Sequence, residues 1–419
     1  MKIGMFTETY RPNVNGVVTS IDTLKEELEK MGHHIIIFTT TNPEANPADD
    51  VDVVRLPSIP FVSYEDRRIV IRGLREAVKI AKEKDLDIIH THTEFGAGIL
   101  GKMVAQRLKI PVVHTFHTMY EDYLIYVANG KLLKRPVIKR YVKFILDDVD
   151  AVITPSERMK RWLLSLDVKA KMKNIPTGIR VERFFEVDYT EKEINALRES
   201  LGVAKDDLMF LSLSRVSFEK NIQTLIRGFK TIHEKFPNSK MVVVGEGPYR
   251  KELQQLTVDL GIQEFVRFTG EVKNEDVGIY YHASDYFCSA STSESQGLTY
   301  AEAIASGTKV IAQGNVYLDE LLNDSSLGVT FIGDENFAET AIDYVKKNIP
   351  TNIEVLENKL FEISADNFGQ SVYAYYLSTL VEFSKKRREK EKETGLSYLK
   401  AKIPLARKIK KSLEFRDED

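Results

Sequence analysis

Cysteine is almost missing from these 419 residues: the single one, Cys288, lies in the apolar run Tyr286-Phe287-Cys288 and reads as a small buried residue. A disulfide framework is excluded and a reducing compartment expected. Long hydrophobic runs are missing too, since no apolar stretch approaches the roughly 20 residues a spanning helix needs. A secretory leader is also lacking, because Met1-Lys2 opens directly into a short apolar run closed by polar residues and a proline. These absences predict a protein kept in the cytoplasm. No G-x-G-x-x-G follows the first predicted strand, so a conventional dinucleotide site is not supported. Acidic metal motifs are scarce as well. Asp50-Val51-Asp52, Asp85-Leu86-Asp87 and Asp148-Val149-Asp150 stand just before predicted strands, where Asp marks a turn, and Asp417-Glu418-Asp419 ends the chain. None is taken as a metal site.

What is present describes a soluble globular chain, 43% hydrophobic and 29% charged. Its length exceeds what one core usually holds, so two domains are expected. The formal charge of −3 hides an asymmetry: Lys385 to Leu413 carries twelve Lys/Arg against three Glu, leaving an acidic body behind a basic appendage.

Short β-type runs alternate with helical patterns along the first half. Lys2 to Phe6, Ile35 to Thr39, Val51 to Leu56, Ile88 to Thr91, Val112 to Phe116 and Ala151 to Ile153 read as strands. Ser20 to Met31, Asp66 to Lys84 and Ala97 to Leu108 read as amphipathic helices. After a charged pause ending near Gly202 the alternation resumes, with strands near Met209, Met241, Val266, Asp285, Lys309 and Val329. The pattern argues two α/β units with parallel, doubly wound sheets, whose ligands bind beyond the carboxyl ends of the strands. The loops after Phe6, Ile89 and Phe116 are therefore the places to search.

The first of these loops contains Glu8 and ends at Gly16, where a glycine at a helix start lets a ligand approach the backbone. The third is HTFHTMYEDY. Residues three apart on a strand face opposite ways, so His114 and His117 do not form a metal pair. His114 is expected to pack in the strand and His117 to face the cleft. In SRVSFEKN, Arg215 and Lys220 stand five apart before a helix, able to clamp two phosphates or to remain exposed ion-pairing charges. Gly245-Glu246-Gly247-Pro248 is a turn at a strand end, with Pro248 placed at the start of the following helix.

The stretch SASTSESQGLTYAEAIASG, from Ser289 to Gly307, sets Glu294 and Glu302 on either side of Gly297 and Leu298 at a loop-to-helix junction. Phosphates fit against free helix N–H groups there, with a carboxylate for hydroxyls at each end, although an acidic loop and an ordinary helix would be spelled the same way. The stretch resembles the E-x7-E motif of retaining glycosyltransferases of family 4 with the GT-B fold. The resemblance implies two Rossmann-like domains facing a cleft, with Glu294 on the donor sugar, Glu302 on the ribose hydroxyls, Arg215 and Lys220 on the diphosphate, Gly247 near the nucleotide and His117 on the sugar. Gln296 stands where many members carry an aromatic residue, in the region expected to distinguish glucose from galactose.

FTETYRP…NGVVTSI and HTFHTMYEDY look most like the bacterial 1,2-diacylglycerol 3-α-glucosyltransferases. This implies UDP-glucose as co-substrate, diacylglycerol as acceptor and no metal for the transfer, with Glu8 and Asp122 as acceptor-side candidates. The segment Lys131 to Phe144 interleaves Lys131, Lys134, Arg135, Lys139, Arg140 and Lys143 with apolar residues and breaks near Pro136. Such a helix meets an anionic membrane surface, or is a solvated flank. Arg67, Arg68, Arg72 and Arg75 read as solvated helix surface. The basic tail has few aromatic residues for stacking, so no nucleic-acid partner is expected. The expected divisions are an acceptor and membrane domain over 1–178, a nucleotide-sugar domain over 179–365, a crossover helix over 366–384 and a tail over 385–419. The expected place is the cytoplasmic face of the cell membrane. Other acceptors (a glycolipid, phosphatidylinositol or a soluble thiol precursor) and a silent nucleotide-sugar-binding regulator are the alternatives.

Overall fold

The computed structural model describes residues 1–13, 15–61, 64–118, 135–185, 187, 189–292, 294 and 296–393. Asp122, Lys131, Lys134 and the tail from residue 394 onward lie outside the described residues.

The first half contains β1 (Lys2–Phe6), α1 (Gly16–Lys30), β2 (His34–Thr40), β3 (Val53–Leu56), β4 (Ser58–Phe61), β5 (Tyr64–Val70), α2 (Leu74–Glu83), β6 (Ile88–Thr91), α3 (Gly96–Leu108), β7 (Val112–Thr115), α4 (Arg135–Leu146), β8 (Ala151–Thr154), α5 (Glu157–Ser165) and β9 (Met172–Asn174). Its main sheet runs in the order β3-β2-β1-β6-β7-β8-β9, with every pairing parallel. Strands such as β6 and β8 are buried along their whole length, as expected where helices cover both faces.

The second half contains α6 (Glu191–Ser200), β10 (Leu208–Leu213), α7 (Ile222–Lys235), β11 (Ser239–Val244), α8 (Arg250–Asp259), β12 (Val266–Gly270), α9 (Val277–His282), β13 (Tyr286–Ser289), α10 (Leu298–Ala305), β14 (Lys309–Gln313), α11 (Val316–Leu321), β15 (Gly328–Phe331), α12 (Phe337–Lys347) and α13 (Ile353–Ile363). Its parallel sheet has the order β12-β11-β10-β13-β14-β15. Both sheets reverse direction of winding beside their first strand, at β1/β6 and at β10/β13. These are the switch points where loops part and leave room for a ligand.

A final helix, α14 (Ala365–Glu393), returns to the first sheet. Its Phe368, Val372, Tyr375 and Tyr376 share a core with Ile3, Met5, Ile21 and Ile35. Burial of each such side chain contributes about 1.5–3 kcal/mol, so the last helix completes the core begun by the first strand.

Two segments differ from the sequence reading. Asp66 to Lys84 is not one helix: β5 pairs antiparallel with β4, and only Leu74–Glu83 is helical. The β-branched run Ile69-Val70-Ile71 favours extension, and Gly73 at φ +119° starts the helix afresh. Arg67 and Arg68 therefore lie on a strand rather than a helix face. The expected crossover helix over 366–384 lies inside α14; α13 and α14 are parted at Ser364, where Ile179 donates its N–H to Ile363 O at 2.9 Å and accepts from Ala365 N at 2.7 Å. Pro136 lies in the first turn of α4, a position that tolerates the missing N–H, and does not break the described helix.

Candidate active site

Lys220 and Glu294 meet directly. The ammonium reaches Glu294 Oε1 at 2.5 Å, each side chain retaining about a fifth of its exposure. Lys220 ends a 3-10 turn after β10, and Glu294 sits on the loop between β13 and α10, so the switch point of the second sheet brings them together. Arg215, on the same loop as Lys220, is exposed and makes no ion pair with the described residues. A cation held by a carboxylate and a second cation open to solvent suit a diphosphate bearing a sugar, because both can turn to phosphate oxygens while the carboxylate takes hydroxyls.

Gly297 precedes α10 at φ +77°, where a side chain would be strained and a Cβ would lie 2.4 Å from the Tyr300 ring. Among the described residues no side chain caps this helix, while the Tyr300 N–H turns back to Gly297 O at 3.3 Å. Leu298 opens the helix. One turn further, Glu302 is enclosed and accepts the Tyr281 hydroxyl at 2.9 Å. Burial pushes its carboxyl above the ordinary range, while the Tyr281 hydrogen bond and the charge of Arg183 pull against that rise.

Other glycines have distinct reasons. A Cβ on Gly247 would lie 2.2 Å from Val216 O, so the absence of a side chain there serves backbone packing in the first place. The following helix begins at Arg250, so Pro248 lies two residues before it rather than at its start. A Cβ on Gly16 would meet none of the described residues within 4 Å, which leaves the start of α1 open to close approach on that side. Asn15 caps that helix, accepting from Val17 and Val18 N–H.

In the first domain the loops after β1, β6 and β7 converge. Glu8 engages both carboxyl oxygens within the protein, one with the Thr93 hydroxyl and one with Ala97 N–H at the start of α3. Burial, the largest influence, pushes its pKa up to about 7. His114 is buried on β7 with Nδ1 2.7 Å from Thr91 Oγ1, whereas His117 stands past the strand end. Burial and then the neighbouring His114 push His117 down to about 3, so it is a neutral imidazole.

Sequence reasoning singled out the loop after Ile89 but named none of its side chains. His92 there lies 3.2 Å from His117. It also passed over Arg158, on the first turn of α5, which donates to Thr292 O at 3.2 Å and Glu294 O at 3.1 Å. The first domain thus grips the loop that carries Glu294. Gln296 departs from expectation. It is buried, its amide donates to Thr177 O at 2.7 Å and accepts from Thr177 N at 2.8 Å, and it ties the loop that carries Glu294 to the segment around Thr177. The only sequence signal for it was the missing aromatic residue.

Among the membrane candidates, Arg140 is exposed, whereas Lys139 pairs with Asp167 and Lys143 donates to Asp167 O at 3.0 Å. Arg135 is the first residue of α4. Val137 and Phe144 on the same helix are 51% and 61% exposed. Among the described residues, no helix is long and apolar enough to cross a membrane.

Residues 14–183 match the domain described as Glycosyltransferase Family 4, and residues 193–355 match Glycosyl transferases group 1. The chain is 45% identical over 381 residues to alpha-monoglucosyldiacylglycerol synthase of Streptococcus pneumoniae, covering 91% of this chain and 86% of the relative. It is 33% identical to the enzyme of the same name from Acholeplasma laidlawii, covering 91% and 96%. Among solved structures, a glycosyltransferase from Rickettsia africae superposes with a TM-score of 0.73 at 19% identity, covering 90% of this chain and 98% of that one. Anabaena HepE in complex with UDP and glucose gives 0.69 at 18%, covering 91% and 100%. Two parallel sheets joined by a returning helix, with Lys220 and Glu294 paired at a switch point, agree with these matches: the chain belongs to the family 4 glycosyltransferases and has the GT-B fold.

Proposed function

We propose that this enzyme transfers glucose from UDP-glucose to the 3-hydroxyl of 1,2-diacylglycerol with retention, working as a peripheral protein at the inner face of the cell membrane. The observation that carries the reading is the 45% identity, over nearly the whole chain, to a monoglucosyldiacylglycerol synthase. The Lys220–Glu294 pair and the neighbouring Arg215 and Glu302 supply the chemistry it needs.

Arg215 and Lys220 take the diphosphate. As the anomeric C–O bond breaks, its electron pair passes to the β-phosphate oxygen, and the two cations stabilise the added charge without a metal. The lipid hydroxyl attacks from the face the phosphate leaves, forming the new C–O bond and passing its proton to the departing phosphate. Glu294 and His117 orient the sugar, and Glu302 holds the ribose. Gly16, Gly247, Gly297 and Leu298 let the donor lie close to the backbone. Glu8 and Asp122 stay on the acceptor side, Glu8 acting through the loop it fastens. The four proposed expanses of the chain are the two domains over 1–178 and 179–365, the crossing helix over 366–384 and the basic tail over 385–419.

The test is transfer of radiolabelled sugar to diacylglycerol in anionic vesicles, with UDP-glucose and UDP-galactose in parallel and a chelator throughout. An α-linked glucolipid is expected. No lipid product from either donor would remove diacylglycerol as acceptor, and a product only after restoring a divalent ion would remove metal independence. Lys220→Met should lower kcat by about 10²–10³-fold, the usual loss when one charge-stabilising donor is removed. Glu294→Gln that folds but transfers at the wild-type rate would defeat the catalytic assignment and favour a nucleotide-sugar-binding regulator.

A further inference from the structure

His92 is a buried side chain, 1% exposed, that none of the assignments above uses. It follows β6 at the first switch point. Its Nδ1 lies 3.2 Å from His117 Nε2, and the two rings are nearly parallel, 5.5 Å apart. On its other side the His90 ring is 4.0 Å away. His90 is itself fixed at both nitrogens, with Nδ1 2.5 Å from the Tyr376 hydroxyl on α14 and Nε2 2.7 Å from Thr115 Oγ1. A row of imidazoles therefore runs from the returning helix, through the first sheet, to His117.

The row constrains protons. Burial holds His90 and His92 well below the ordinary imidazole value and His117 likewise low, so all three are neutral, each with one N–H and one lone pair. In the His92–His117 bond one ring must donate and the other accept. Among the described residues, His92 Nε2 is buried without a hydrogen-bond partner. A buried N–H without an acceptor is rarer and costlier than a buried acceptor without a donor. The proton of His92 therefore belongs on Nδ1, donated to His117 Nε2. His117 must then carry its own proton on Nδ1, the nitrogen that His92 does not hold.

We infer that His92 is a positioning residue for the transfer: it sets the ring angle and tautomer of His117 so that Nδ1–H is presented as a hydrogen-bond donor to a hydroxyl of the donor sugar. This rests on the reading of His117 as a sugar contact. A donor with a fixed proton favours a sugar hydroxyl that accepts. A ring free to exchange tautomers would meet the same hydroxyl in the wrong state part of the time.

Three variants and one spectrum test it. His92→Phe keeps an aromatic ring but removes both nitrogens, and His92→Asn returns an N–H donor near the position of Nδ1. His117→Ala is the control for the sugar contact. With His92→Phe, kcat/KM for UDP-glucose should fall about tenfold or more, as when a reacting group is misplaced, while the Kd for UDP alone stays within about twofold, since UDP lacks the glucosyl group that His117 would contact. His92→Asn should recover most of the loss. Long-range 15N–1H spectra of wild-type protein should show His117 protonated on Nδ1, and in His92→Phe a tautomer mixture. Two results overturn the inference: His117 protonated on Nε2 in the wild type, or full activity of His92→Phe where His117→Ala is impaired. Full activity of His117→Ala would instead overturn the sugar-contact reading, and the wild-type spectrum would still decide the tautomer assignment by itself.

Discussion

Glu8 shows how an assigned residue can carry a structural duty with a measurable signature. Its carboxyl joins the loop after β1 to Thr93 and to the start of α3, and burial pushes it from 4.5 up to about 7. A carboxyl raised in the folded state binds more protons there than in the unfolded chain between these two values. Stability therefore falls as pH rises from 4.5 to about 7, then levels. At about 1.4 kcal/mol per pKa unit, the decline is at most about 3 kcal/mol. Glu8→Gln should remove it, leaving a flatter profile and a variant more stable than wild type above pH 7 in denaturant titrations. Parallel profiles for the two proteins would mean that Glu8 ionises freely. Resemblance to the motifs of family 4 glycosyltransferases, more than residue types and spacing alone, made Glu8, His117, Lys220 and Glu294 visible as candidates. The contacts that define them were not, because Lys220 finds Glu294 across 74 positions and Glu8 finds Ala97 across 89.

Elements were most legible where burial is two-sided. Parallel strands read as short apolar runs whatever their neighbours, so the strands of both sheets stand close to where the pattern puts them. The β4–β5 hairpin escaped because its charged residues mimic a helix face, and β9 because three residues, Met172–Asn174, carry too little pattern. The break at Ser364 is imposed by Ile179, a partner far away in sequence, so no local signal announces it. Two residues earlier, Thr177 has its backbone N–H and C=O both satisfied by the Gln296 amide. Gln296→Leu leaves both buried groups unpaired, at about 1–3 kcal/mol each. A loss of about 2–6 kcal/mol in unfolding free energy is expected, read as a lower denaturant midpoint. A midpoint equal to wild type would show that water replaces the amide and that the segment around Thr177 is not held by it.

Across the whole molecule the two domains meet through Arg158, whose guanidinium holds the Thr292 and Glu294 carbonyls. Arg158→Ala should lower kcat/KM for UDP-glucose by about 10–100-fold, the loss of one or two charged hydrogen bonds, with the melting temperature nearly unchanged; an unaltered kcat/KM would mean that the donor loop keeps its place unaided. The membrane reading also belongs to this scale. Val137, Arg140 and Phe144 recur at i, i+3 and i+7, placing two exposed apolar groups and a cation on one face of α4. Lys139 and Lys143 are already turned to Asp167, so they add less than their charge suggests. Burial of Val137 and Phe144 in the lipid interface contributes about 1.5–3 kcal/mol each, and each cation near anionic lipid about 1 kcal/mol. Val137→Ser combined with Phe144→Ser should therefore weaken vesicle binding about 100-fold or more, at low and high salt alike. Arg140→Glu should weaken it about tenfold at low salt, and much less where screening removes the cationic part. Flotation with phosphatidylglycerol and phosphatidylcholine vesicles separates the two contributions. Undiminished flotation of the Val137→Ser, Phe144→Ser protein would remove α4 from the membrane face and leave attachment to the basic segment beyond Lys385.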